Sequence, residues 1–166
     1  AKTIIGSNSE GSGDALNQLK RPFVSAVDSF GNIYVGDGGN FRVVKWAPDA
    51  TEGVVVAGGN GTGSNLNQIA DVAGVEVDSS GNIYVSDYIN DRVVKWVPGA
   101  TEGVLVAGGN GRGSNLNQLA GPYSLYLDKN NSIYIADSGN FRIVKWATGA
   151  ATGVVVAGGN GSGLNL

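Results

Sequence analysis

The feature that most constrains this chain is a motif that returns every fifty residues. Residues 81–96 read GNIYVSDYINDRVVKW, residues 31–46 read GNIYVGDGGNFRVVKW, and residues 131–146 read NSIYIADSGNFRIVKW. Residues 31–80 and 81–130 agree at roughly two positions in three, with no insertion or deletion. The divergent start keeps the same frame: Gly11, Gly13, Leu16, Asn17, Gln18 and Asp28 stand fifty before Gly61, Gly63, Leu66, Asn67, Gln68 and Asp78. Three periods leave sixteen of the 166 residues over, so residues 1–16 and 151–166 are two copies of one portion of the repeat. A regular period of this length marks an array in which each unit buries its apolar surface against the next.

Within the middle unit the pattern predicts four short strands. Gly74–Asp78 alternates apolar and polar residues, as a half-lined strand does. Ser79-Ser80-Gly81 turns the chain into Asn82–Asp87, and a loop at 88–91 leads to Arg92–Val97. Pro98-Gly99-Ala100 turns again into Gly103–Ala107. A polar connection, GGNGRGSNLNQLAG, then leads to the next unit. No run has helical length or period, and each apolar stretch is closed by Gly, Pro, Asn or Asp. Four strands and a long crossing loop are the pattern of a propeller blade. The third and fourth strands read as apolar on both faces, which suits a sheet packed between two others. A parallel β-helix has turns much shorter than fifty residues and is set aside. The fold class is therefore all-β, a propeller of four-stranded antiparallel blades, three per chain, with first strands near 23–28, 73–78 and 123–128.

Composition narrows the chemistry. The chain has no cysteine, hence no disulfide or thiolate metal site, and no histidine, the usual general base and commonest metal ligand. A net charge of -3 argues against nucleic acid or an anionic membrane as partner. No apolar run nears the roughly 20 residues of a membrane helix. Ala1-Lys2 follows from a removed initiator Met as well as from a cleaved leader, so the compartment stays open.

The run GVEVDSSGNIYVSDYINDRVVKW at 74–96 resembles the NHL repeat, and the likeness extends over all three copies. The resemblance implies a toroidal propeller, usually of six blades, used most often as a binding platform. Three positions depart from the family pattern. Val72 replaces the proline kept at Pro22 and Pro122, Asn131-Ser132 replaces Gly-Asn, and Phe41, Asp91 and Phe141 stand where a histidine usually precedes the arginine.

Several residues invite a chemical reading. Asp37 and Arg42, Asp87 and Arg92, and Asp137 and Arg142 are each five apart across the second hairpin. Their recurrence in every unit points to a loop clamp rather than catalysis. Asp28, Asp78 and Asp128 open turns that lack the alternating ligands and closing Glu of a calcium loop, so no metal is expected. The glycine-rich connections do not lead into a helix or a Gly-Lys-Ser/Thr ending, so neither a phosphate cradle nor any other cofactor site is expected. Leu66 and Leu116 are expected to plug the core from these connections. Trp46, Trp96 and Trp146 are assigned to packing between blades rather than to an exposed sugar-binding ladder. The copies differ most in the second-to-third loops and in the approach to the first strand, two regions that share one face of a blade. Any ligand surface is placed there, at Arg21, Phe23, Tyr88, Ile89, Asp91, Arg112 and Tyr123.

Three functional readings stay open. One is a non-enzymatic scaffold or binding module with a protein or peptide ligand, alone or within a larger secreted or signalling protein. Another is a fragment, or an engineered or reconstructed array, with no evolved activity. The third, a metal-dependent lyase or hydrolase, finds no histidine to support it. Three blades span about half a ring, so the expected partner is a second copy that closes six blades as a homodimer. Residues 3–6 and 153–156 are both fourth strands, and the C-terminal copy is expected to hold the blade edge because its loop closure is short.

Overall fold

Each fifty-residue unit folds into one antiparallel four-stranded sheet in the computed structural model, which describes residues 13–162. Blade 1 contains β1 (Pro22–Val27), β2 (Ile33–Asp37), β3 (Arg42–Trp46) and β4 (Val54–Gly58). Blade 2 contains β5 (Val72–Val77), β6 (Ile83–Asp87), β7 (Arg92–Trp96) and β8 (Val104–Gly108). Blade 3 contains β9 (Pro122–Leu127), β10 (Ile133–Asp137), β11 (Arg142–Trp146) and β12 (Val154–Gly158). The all-β, four-stranded blade is thus as expected, with strand ends shifted by a residue or two. Two 3-10 turns, Gly38–Asn40 and Ser138–Asn140, are the only helical turns among the described residues. The first strands sit side by side, β1 beside β5 and β5 beside β9, so the blades fan out from a hub. β12 pairs with β11, while the other fourth-strand copy, residues 3–6, lies outside the described residues.

Alternation along the strands supplies the two faces of each blade. Val43 joins the cluster against blade 2, with Val75, Ile83, Val85 and Trp96, whereas Val44 and Trp46 pack on the opposite side. The third strand is therefore covered on both faces, as its composition requires. The fourth strand is not: Val54, Val104 and Val154 are 62–64% exposed at its start, because it forms the outer edge. A second correction concerns the plug. Leu66 and Leu116 are more than a third exposed, and Ile69 and Leu119, three residues on, are the fully buried side chains. The backbone of Leu66 and Leu116 serves instead, accepting from the N–H of Gly103 and Gly153. Each tryptophan is buried, and Gly103 lets β8 approach Trp96 so closely that a Cβ there would sit 2.9 Å from the indole.

At the opposite end from the long connections, the aspartates are consumed by their turns. Asp28 accepts from the backbone N–H of Phe30 and Asn32, from the Asn32 amide, and from the Tyr34 hydroxyl at 3.1 Å. Burial works against its charge, but these donors outweigh it and hold the carboxyl below 3.8. Burial and then the bond to Asp28 push the Tyr34 phenol up to about 12, and burial with the Asp78 charge does the same for Tyr84. Lys45, Lys95 and Lys145 lie over the rings of Tyr34, Tyr84 and Tyr134 at 5.5, 5.4 and 4.9 Å, so the repeated lysine has a cation–π partner in every blade.

Three outcomes follow from this packing. Trp96→Ala should lower stability by about 3–5 kcal/mol, read as a shifted urea midpoint at unchanged slope. The Ser86 hydroxyl is buried without a hydrogen-bond partner where Gly36 and Ala136 stand in the other blades. Ser86→Ala should accordingly raise stability by about 1 kcal/mol. The phenols set an alkaline limit. An unfolded tyrosine ionises near 10.0 while the folded ones stay protonated to about 12, so the folded state binds more protons in that window and loses stability as pH rises. Urea midpoints measured from pH 9 to 12 should fall less steeply in the Tyr34→Phe/Tyr84→Phe variant.

Candidate functional site

The hub end that carries the long connections is fixed by one repeated side-chain cluster. Arg42 Nε donates to Asp37 Oδ2 at 2.8 Å, and its remaining nitrogens reach the carbonyls of Asp14, Ala15 and Gln18. Asp37 also accepts from Lys20 N–H at 2.6 Å and from the Asn40 amide, which in turn donates to the Gly13 carbonyl. Arg92 binds Asp87 and the carbonyls of Ser64, Asn65 and Gln68, and Arg142 binds Asp137 and those of Ser114, Asn115 and Gln118. All six charged side chains are buried, so the pairs are desolvated but fully hydrogen-bonded. Each pair ties the incoming connection to its blade and has no free atom for substrate chemistry.

Beyond this clamp the connection delivers residues 21–23, 71–73 and 121–123 to the hub. Phe23 and Tyr123, from blades 1 and 3, meet edge to face at 5.6 Å and 81°. Ala73, at the same position in blade 2, is small and buried, which leaves the space over which the two rings meet. Tyr88, from the loop after β6, meets Tyr123 at 6.2 Å and 86°. Its ring lies against Gly121, where a Cβ would come within 2.7 Å of it. Together with Arg21, Pro22, Gly38, Asp71 and Val72 these residues enclose a cavity of about 230 Å³.

The rim is polar and held in place. Asp71 N–H donates to Asp87 Oδ1, and its carbonyl accepts from Tyr88 N–H at 3.1 Å. Arg21 is exposed and adopts a left-handed backbone, φ 52°, a conformation sparsely populated by non-glycine residues and concentrated at functional sites. Four of the seven residues assigned to a ligand face, Arg21, Phe23, Tyr88 and Tyr123, thus line one cavity. Asp91 and Arg112 pair with each other at 3.1 Å, and Asp91 also accepts from Gly121 N–H, so they join blade 2 to blade 3. Ile89 is exposed on the Tyr88 loop outside the lining. Sequence reading missed Asp71 and Ala73. The available signal was position 73 itself, where Ala stands between Phe and Tyr in the aligned copies. On β5, burial raises the Glu76 carboxyl, and the Val77 N–H only partly offsets this.

A larger cavity of about 490 Å³ lies between blades 1 and 2, lined by Tyr34, Lys45, Val54, Val56 and Ile83. These residue types recur in every blade. They belong to the seam architecture and do not distinguish one blade from another.

Comparison with known proteins agrees with this architecture. Residues 119–146 match the NHL repeat family. No curated protein sequence matches the chain. Among solved structures, virginiamycin B lyase from Staphylococcus aureus is similar at a TM-score of 0.58 and 13% identity, over 84% of this chain and 42% of that one. That structure is a form made catalytically inactive by replacing a histidine with alanine, with quinupristin present. A protein of unknown function from Bacteroides thetaiotaomicron is similar at 0.58 and 24% identity, over 70% of this chain and 32% of that one. A streptogramin B lyase gives 0.53 and 18%, over 76% and 37%. The chain therefore spans about a third to two fifths of the length of these structures, and at such identities the likeness is one of fold. The chain is an array of three β-propeller blades, the third of which carries the NHL repeat.

Proposed function

We propose that the chain is a non-enzymatic binding module whose ligand site is the hub cavity between Phe23, Tyr88 and Tyr123. The observation that carries this reading is the convergence of side chains from three blades on positions where the blades differ, above a framework in which they scarcely differ. The cavity offers aromatic edges and faces to an apolar or aromatic side chain, with the Arg21 guanidinium and Asp71 carboxylate on its rim for the adjoining peptide groups. Aromatic anchors of this kind supply much of the binding energy at protein–peptide contacts. Similarity to lyases supports no catalytic role here. The similar virginiamycin B lyase loses activity when a histidine is replaced, and this chain contains no histidine.

Selection of phage-displayed random twelve-residue peptides on the immobilised chain tests the proposal. A consensus with an aromatic or branched aliphatic anchor is expected, and Tyr88→Ser and Tyr123→Ser should each weaken a selected peptide by about tenfold. Absence of a consensus, or a consensus indifferent to both substitutions, overturns it.

A further inference from the structure

The blades make the same seam twice within the chain, and among the described residues blades 1 and 3 carry the two halves of a third seam without a blade packed on either. In the first seam Tyr34, Val43 and Ala57 of blade 1 cover Ile69, Val72, Val75, Ile83, Val85, Val94 and Trp96. In the second, Tyr84, Val93 and Ala107 cover Leu119, Leu125, Ile133, Ile135, Val144 and Trp146, nearly all fifty residues further on. The next covering set is Tyr134, Ile143 and Ala157. On blade 3 these are half-buried, half-buried and exposed, with Tyr126 and Val156 also exposed beside them. The matching receiving set is Leu19, Ile33, Val35, Val44 and Trp46 on blade 1. Val35, Val44 and Trp46 are already buried within the blade, Leu19 and Ile33 are half-buried, and among the described residues no other blade packs on the cluster. Val27 next to it is 62% exposed.

Blades 1 and 3 touch through Phe23 and Tyr123 at the hub, yet Val27 on blade 1 and Tyr126, Val156 and Ala157 on blade 3 stay exposed, so the described blades do not close on one another. We infer that a second copy of this chain closes it: blade 3 of each copy seats on blade 1 of the other, and the two identical seams complete one six-bladed ring. Residue correspondence specifies the occupant. Each bare face has its complement at the other end of the same molecule, in the residue types of the internal seams, and a head-to-tail contact of this kind closes when the rotation per blade permits. Ring size is consistent with two copies. Because 84% of this chain matches 42% of the lyase chain, that propeller is about twice as long as this one. The new seam differs from the internal ones at three places: Ser25 for Val75 and Leu125, Ile143 for Val43 and Val93, and Tyr126 for Ala26 and Glu76. In the closed ring the hub would carry two copies of the aromatic cavity around one axis. The assembly does not depend on the cavity binding anything.

Light scattering coupled to size exclusion at micromolar concentration reads the outcome, with a mass of twice the 16.9 kDa chain expected. Ala157→Arg is the decisive variant. Ala157 is exposed in the single chain, so arginine is tolerated there, whereas Ala57 and Ala107 are buried within the internal seams. The variant should keep its far-ultraviolet dichroism and weaken self-association at least about 100-fold, since a seam would bury the new charge. Val154→Arg is the control: Val54 and Val104 stay exposed beside the internal seams, so the dimer should persist. A wild-type monomer, a mass of three chains, or an Ala157→Arg variant that associates as tightly as wild type overturns the inference.

Discussion

The buried aspartate–arginine pair is the interaction on which the blades depend. The connections between blades are glycine-rich and polar, and a segment of that composition buries too little apolar surface to order itself. The arginine solves this by satisfying three carbonyls of the connection at once, while the aspartate accepts the backbone N–H groups that follow. Removal of either partner would leave a buried charge uncompensated, so the cluster is far more sensitive to loss than its net stabilising contribution suggests. The clamp also places the hub. Lys20, Ala70 and Ala120 are each fixed through their N–H to Asp37, Asp87 and Asp137, one to three residues before the positions that form the cavity.

Given that anchor, the seams follow from alternation. A third strand with apolar residues on both sides packs forward through Val43 or Val93 and backward through Val44 or Val94, and the tryptophan at its end is covered by the glycine just before the fourth strand. Blade 2 is packed in this way between two neighbours. On the outer sides of blades 1 and 3, Val27, Tyr126 and Val156 remain exposed, whereas Val77 and Val106, the counterparts of Val27 and Val156, pack into the internal seams.

Period and strand patterning made the blade legible, since both are local and repeated three times. The plug was not legible. Leu66 and Ile69 are both apolar, three residues apart in the same loop, and only the course of the backbone decides that Ile69 enters the core while Leu66 offers its carbonyl. The outer edge was misread for a related reason: apolar composition in β4, β8 and β12 does not reveal that no strand lies beyond them. For the candidate site, the face chosen from differences among the copies carries a cavity lined by four of the seven residues assigned to it. They did not separate Asp91 and Arg112, which pair across a blade junction, from the side chains that stay free, because pairing partners at that junction lie 21 residues apart.

The cavity is the product of three substitutions acting on a near-symmetric frame. The position of Tyr88 is Gly38 in blade 1 and Ser138 in blade 3, so only blade 2 sends a ring over its neighbour. That ring is accommodated because Gly121 has no side chain and a left-handed backbone, φ 60°, while Asp91 holds the Gly121 N–H beside it. At the junction of blades 1 and 2 the corresponding pair is Gly38 and Asp71, which leaves the space open and puts a carboxylate on its rim. Between Phe23 and Tyr123 the equivalent position is Ala73, small and buried, and it lines the same cavity. A symmetric array would have repeated either a filled or an empty junction. This chain has one of each, and the hollow lies where they meet.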